Sequence, residues 1–173
     1  MKTVQETIEV AVPLRAAYDQ WTQFECFPRF MSVVKRVRQV TPCVSVWVIG
    51  AGPLHREFRT EILEQAPDSH LVWQSLDRRR TGHRGEVRFR PVGDDRTEVT
   101  VRMEFRGRDL AGLLCAVPGA ADGVVRRELG NFKKFIEGRG EADRGWRGTV
   151  HYGHVQPGVP EISKSHVPTW PVG

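Results

Sequence analysis

The chain has 173 residues, 39% of them apolar and 27% charged, and a net charge of +5 from 26 basic and 21 acidic residues. That length suits one domain with a real core, and no apolar run approaches the roughly 18 residues of a membrane-spanning helix. Basic and acidic residues are interspersed, and the densest basic run, Arg78-Arg79-Arg80, lies in a turn between Asp77 and Gly82, so no nucleic-acid face is expected.

Residues 3 to 12 alternate as a strand, with Val4, Ile8, Val10 and Val12 on one face and Thr3, Gln5, Thr7 and Glu9 on the other. The N-terminus lacks the continuous apolar block of a signal peptide, and the chain is expected to be cytoplasmic. Pro13 stops the ladder and suits the first turn of a helix. That helix runs from about 13 to 22 and carries Leu14, Ala17, Tyr18 and Trp21 on one side. A second short helix spans about Phe24 to Met31, limited by Pro28. From 33 to about 106 the pattern is six strands: VVKRVRQV, VSVWVIG, HREFRTEILEQ, HLVWQSL, HRGEVRFRP and TEVTVRMEF. Thr41-Pro42, Pro67-Asp68 and Gly93-Asp94-Asp95 mark turns between them. Short turns between consecutive strands predict an antiparallel meander.

The period then changes. Leu114, Val117, Ala121, Val125, Leu129, Phe132 and Ile136 recur at helical spacing, and Gly138 and Gly140 end a long amphipathic helix. Pro118-Gly119 interrupts its first half, which leaves 122 to 137 as the regular part. Domain organisation follows: residues 1–140 form one domain, and 141–173, rich in Gly and Pro without periodicity, read as a disordered tail. Cys26, Cys43 and Cys115 are odd in number and widely spaced, which suggests neither disulfides nor a metal site. His151-Tyr152-Gly153-His154 has metal-compatible types, but in a loose tail it would hold nothing. There is no GxSxG elbow, no HExxH and no phosphate-binding glycine loop; no cofactor or metal is expected.

An antiparallel sheet with one apolar face must bury it, and the only element long enough is the last helix. The sheet should therefore curl around that helix, with the two short helices plugging one end. The order of elements, together with AAYDQWTQFECFPRFM near the start and RRELGNFKKFIEGRG at the end, resembles the START-like polyketide cyclase/dehydrase family. These are helix-grip proteins related to the coenzyme Q-binding proteins. The resemblance covers residues 3 to about 140. It implies an α+β helix-grip fold, with a seven-stranded antiparallel sheet around a long C-terminal helix and two short helices after the first strand. It further implies an internal cavity used for hydrophobic ligands, either with cyclisation chemistry or as a carrier of lipids or quinones.

The interior side of each strand supplies the candidate site. The cluster Trp21, Phe24, Phe27, Phe30 and Met31 should sit where the sheet splays, and Phe58, Trp73, Ser75, Phe89 and Met103 fall inward by period-two counting. The same counting turns Arg56 and His83 inward near strand ends. Arg56, His83 and Tyr18 are the candidate catalytic groups: a cationic donor for a developing oxyanion and two movers of protons. The expected partner is a small hydrophobic or aromatic, polyketide-like molecule. The oligomeric state is left open.

Overall fold

The computed structural model describes residues 1–77, 82–106, 120–139 and 145–158. β1 (Lys2–Val10) buries Val4 and Val10 and exposes Thr3, Gln5, Thr7 and Glu9, as its alternation requires. Pro13, with φ fixed near its ring value, caps α1 (Leu14–Trp21), which buries Ala17, Tyr18 and Trp21. A short 3₁₀ helix, Phe24–Arg29, contains Pro28 and buries Phe24 and Phe27.

Six strands follow: β2 (Val34–Gln39), β3 (Val44–Ala51), β4 (Leu54–Ala66), β5 (His70–Ser75), β6 (Gly82–Gly93) and β7 (Arg96–Arg106). Each pairs antiparallel with the next, and β7 pairs back onto β1, giving the order β1-β7-β6-β5-β4-β3-β2. Lys2 lies opposite Phe105 and Val10 opposite Thr97. The first strand is thus stitched to the last of the meander, and the sheet is long enough to curl.

α2 (Ala120–Arg139) lies in the curl and buries Ala121, Leu129, Phe132 and Ile136. Polar contacts along β1 hold it in place. Lys133 Nζ donates to the Glu9 carbonyl at 2.7 Å and to Glu137 Oε1 at 2.5 Å. Glu137 Oε1 also accepts the Ala11 N–H at 2.8 Å, and Arg126 reaches Glu6 with two hydrogen bonds of 2.9 and 3.3 Å. Leu114 and Val117, expected on the same helix, lie outside the described residues.

Two expectations need correction. The sheet has two short strands more than the seven expected, β8 (Val150–His151) and β9 (His154–Val155). Both come from the segment read as a disordered tail, which over 145–158 is a docked strap. β4 outruns β3: their pairing ends at Val44 opposite Glu61, and β8 takes the vacated edge at Glu64 and Gln65. His151 and His154, read as idle residues of a loose tail, face each other in the β8–β9 hairpin.

The strap is anchored by charge and close fit as well as by the ladder. Arg147 pairs with buried Asp19 of α1, and with Asp68 at 2.6 Å, while its guanidinium lies 5.3 Å from the Tyr18 ring centroid. Hydrogen bonding to Asp68 and Asp19 pushes the Arg147 pKa further up, against the opposing effect of burial. Val150 is buried, and a Cβ at Gly145 would fall 2.4 Å from Thr22 Oγ1. Periodicity fails to reveal this segment because its anchors are single residues on an irregular backbone.

Candidate functional site

Between the inner sheet face and α2 the structure leaves a cavity of about 170 Å³. Its wall is overwhelmingly apolar. Trp21, Phe24, Phe27 and Met31 close one side, Phe58, Trp73 and Met103 come from three strands, and Val125 and Leu129 face them from α2. The aromatic cluster of residues 21 to 31 is therefore both core and cavity wall.

Trp73 lies flat against β6 because position 85 is glycine. A Cβ there would fall 2.0 Å from Cζ2 of the Trp73 ring, so any side chain would drive the indole away from the sheet. Gly85 is opposite both Trp73 and Met103 in the ladders, and the missing side chain keeps that row shallow.

A row of polar side chains crosses the same inner face. Ser45 is opposite Thr60, and Thr60 is opposite Ser75. The next link is His83, whose backbone N–H donates to Ser75 Oγ at 3.1 Å. Ser45 and Thr60 hydroxyls lie 3.0 Å apart, and Trp47 Nε1–H donates to both, at 2.8 and 3.0 Å. His83 is buried and stands edge-on to Phe58, ring centroids 4.8 Å apart. Ser45, Trp47, Thr60 and His83 all line the cavity.

On the helix side the polar member is Glu128, 5% exposed. Its carboxylate accepts the Ser32 N–H at 2.7 Å, the Ser32 hydroxyl at 2.5 Å and the Arg127 guanidinium at 3.3 Å. This clip joins α2 to the chain just beyond the aromatic cluster. Its acceptor capacity is largely spent on positioning.

Several candidate residues take other places. Arg56 lies opposite Ile49 and so has inward parity, but it is exposed. The β3–β4 hairpin carries it past the rim of the cavity. Tyr18 is fully buried at the strap end, where its hydroxyl accepts a 3.0 Å hydrogen bond from Gln65 Nε2. Burial pushes the Tyr18 pKa up to about 12, more than the Gln65 bond and the Arg147 charge lower it. It does not line the cavity, and a phenol held neutral there is poorly suited to move protons. Phe89 packs against Tyr18 and Trp21 with centroids 5.5 and 6.2 Å apart, and Phe30 packs against Phe132 and Phe135 at 5.6 and 4.8 Å. Ser75 is buried at the end of β5, where its hydroxyl donates to the Asp77 carbonyl at 3.4 Å. None of these three forms part of the wall. His83 is the one candidate catalytic residue that does.

Ser45, Trp47 and Glu128 were not read as site residues. In VSVWVIG both faces of the strand are apolar, so alternation does not say which side points in. Glu128 sits among charges, yet it precedes Phe132 by one helical turn, and that spacing was the available signal. Among the described residues no three His, Cys, Asp or Glu side chains gather as a metal site requires. No helix among them is long and apolar enough to cross a membrane.

Comparison with known proteins matches the architecture. The family model described as polyketide cyclase/dehydrase and lipid transport matches residues 10–134. The chain belongs to this family. It is 41% identical over 150 residues to an uncharacterized 17.2 kDa protein of the melC2-rnhH intergenic region of Streptomyces lincolnensis, covering 87% of this chain and 99% of that one. Among solved structures, the Zhui aromatase/cyclase from Streptomyces sp. R1128 superposes with a TM-score of 0.69 at 13% identity, over 84% of this chain and 99% of that one. A START superfamily protein from Mycobacterium smegmatis gives 0.60 at 18% identity, over 79% and 95%. At those identities the likeness is one of fold, and it establishes the α+β, START-like helix-grip architecture.

Proposed function

We propose that the protein binds one small, hydrophobic aromatic molecule of polyketide type in the cavity between the sheet and α2. The observation that carries this reading is the hollow itself, about 170 Å³ and lined almost throughout by apolar and aromatic side chains. The volume is close to that of cavities that accept a single aromatic ring. It favours a compact ligand over a whole lipid or a long-tailed quinone, so the lipid or quinone carrier is the weaker alternative.

The wall favours recognition over elaborate chemistry, since Arg56 and Tyr18 stand outside it. One observation supports a catalytic second reading: His83 lines the cavity beside Phe58. Cyclisation and dehydration of a bound chain of ketones need its carbons held at attack distance and a group that moves protons, a role His83 could fill.

Native mass spectrometry of freshly purified protein, followed by denaturation, is expected to release one small aromatic mass per chain. Val101→Phe, which fills the hollow, should abolish that mass and the binding of hydrophobic fluorophores. A wild-type protein that carries no ligand and binds no probe overturns the reading. For the catalytic version, His83→Gln should keep probe binding but slow conversion of a poly-β-ketone by about 10²-fold or more. Equal rates would leave binding alone.

A further inference from the structure

We propose that Ser45, Thr60 and Trp47 form an oxygen-anchoring subsite, and that the molecule it takes is a neutral aromatic carrying a carbonyl. This rests on the reading of the cavity as a ligand chamber and gives that ligand a chemical class.

The argument is a count of hydrogens. Ser45 Oγ and Thr60 Oγ1 are 3.0 Å apart, and Trp47 Nε1 lies 2.8 Å from the first and 3.0 Å from the second. A hydroxyl brings one hydrogen and two lone pairs; an indole nitrogen brings one hydrogen and no acceptor. Three hydrogens therefore meet two oxygens. The indole hydrogen is shared between the oxygens, and one hydroxyl hydrogen lies in the bond between them. The second hydroxyl hydrogen has no acceptor among the described residues. Both hydroxyls are buried, at 2% and 3% exposure, and both line the cavity. The surplus hydrogen thus borders a hollow with apolar walls. Buried polar hydrogens are rarely left without a partner, and an acceptor oxygen on a ligand would supply one.

Charge selects which oxygen. Among the described residues that line the cavity there is no Lys or Arg, and Glu128 contributes a carboxylate already ion-paired to Arg127. Among these described residues a carboxylate ligand would meet no Lys or Arg and one anion. A carbonyl oxygen needs only the one surplus donor of the subsite. Phe58, Trp73 and Met103 line the same cavity and supply apolar surface for a ring.

The test uses two probes of the same shape, acetophenone and α-methylstyrene, which differ by C=O against C=CH₂, with benzoate as the anionic control. Comparing the ratio of their dissociation constants between proteins cancels their different solubilities. In the triple variant S45A/T60V/W47F, which removes every donor of the subsite and leaves His83 in place, the ratio should move against acetophenone by about fivefold or more, the worth of one net hydrogen bond. Thr60→Val or Ser45→Ala alone leaves one hydroxyl that accepts from Trp47 and keeps a free hydrogen, so each single variant should hold the ratio within about twofold. Benzoate should bind more weakly than acetophenone to the wild type.

A second readout needs no variant: the carbonyl stretch of ¹³C-labelled acetophenone on wild-type protein should lie below its value in an alkane. A stretch at the alkane value, or an unchanged ratio in a triple variant that still binds both probes, overturns the subsite and leaves the chamber standing. Benzoate binding more tightly than acetophenone overturns the neutral class. If neither acetophenone nor α-methylstyrene binds wild-type protein, the chamber reading itself falls and the subsite falls with it.

Discussion

The two ends of the interior are built from the same kinds of residue, yet one is solid and the other hollow. At the strap end Tyr18, Trp21, Phe89 and Phe132 meet edge-to-face, with centroids 5.1 to 6.2 Å apart, the geometry preferred by aromatic rings. At the other end Phe58, Trp73 and Met103 line a space that no side chain of the described residues fills. Apolar content does not separate the two ends. What differs is the size of the sheet residues between the large ones: Ser45, Thr60 and Gly85 form a shallow inner surface, and the one ring that α1 brings to it, Trp21, closes only one side. A hollow in a protein can thus be made by small residues on one layer while the opposite layer stays bulky.

That contrast can be broken most forcefully at the solid end. Phe132→Ala should cost about 3–5 kcal/mol in urea unfolding. Leu129→Ala, whose side chain borders the hollow, should cost less. Equal losses would mean that α2 is packed uniformly along its length. The strap should rank next. Arg147→Ala leaves Asp19 buried with, among the described residues, only the exposed Arg15 at 3.7 Å, and the loss should be about 3 kcal/mol, as for a broken buried pair. A change of a few tenths would show that the strap is merely laid on the surface.

A paired substitution on one strand sharpens the comparison further. Val99 and Val101 share the inner face of β7, but only Val101 lines the cavity. Val99→Phe should cost about 1–3 kcal/mol through overpacking. Val101→Phe should change stability by less than about 1 kcal/mol, because the added ring has room. Matching costs at both positions would mean that the hollow closes in solution.

The smallest effect concerns alkaline pH. Burial raises the Tyr18 pKa from its ordinary 10.0 to about 12. Between these values the folded chain keeps a proton that the unfolded chain has released. The stabilisation is therefore complete below about pH 10 and is lost as pH rises towards 12. Tyr18→Phe should flatten that part of the pH–stability curve while costing about 1 kcal/mol at neutral pH for the lost Gln65 bond. An unchanged alkaline limb would place the phenol in contact with solvent.

The sequence announces the sheet, the two short helices and the long one, because each follows a simple period over many residues. Period-two counting also puts Phe58, Trp73, His83 and Met103 on the correct face. It cannot say how far along the strand the interior extends, and that is why Arg56, with correct parity, ends in water. Phe89 and Tyr18 fail in the opposite sense: they are inside, but at the end where rings fill the space. Parity is a local property of a strand. Depth depends on where α1 and α2 cross it, which local pattern does not encode. The strap was misread for a related reason, since Arg147, Val150 and Gly145 act through partners far away in sequence.

The strap also sets the order in which the protein can be completed during synthesis. Asp19 leaves the ribosome 128 residues ahead of Arg147. At roughly 5–20 residues per second, its carboxylate waits on the order of ten seconds for its partner. Over the same interval the end of β4 at Glu64 and Gln65 has no neighbour on the β3 side, an open edge of the kind that recruits other chains. A nascent or proteolytically clipped chain that stops before residue 145 would present that edge and that charge together, so premature termination should yield aggregates rather than a slightly weakened monomer.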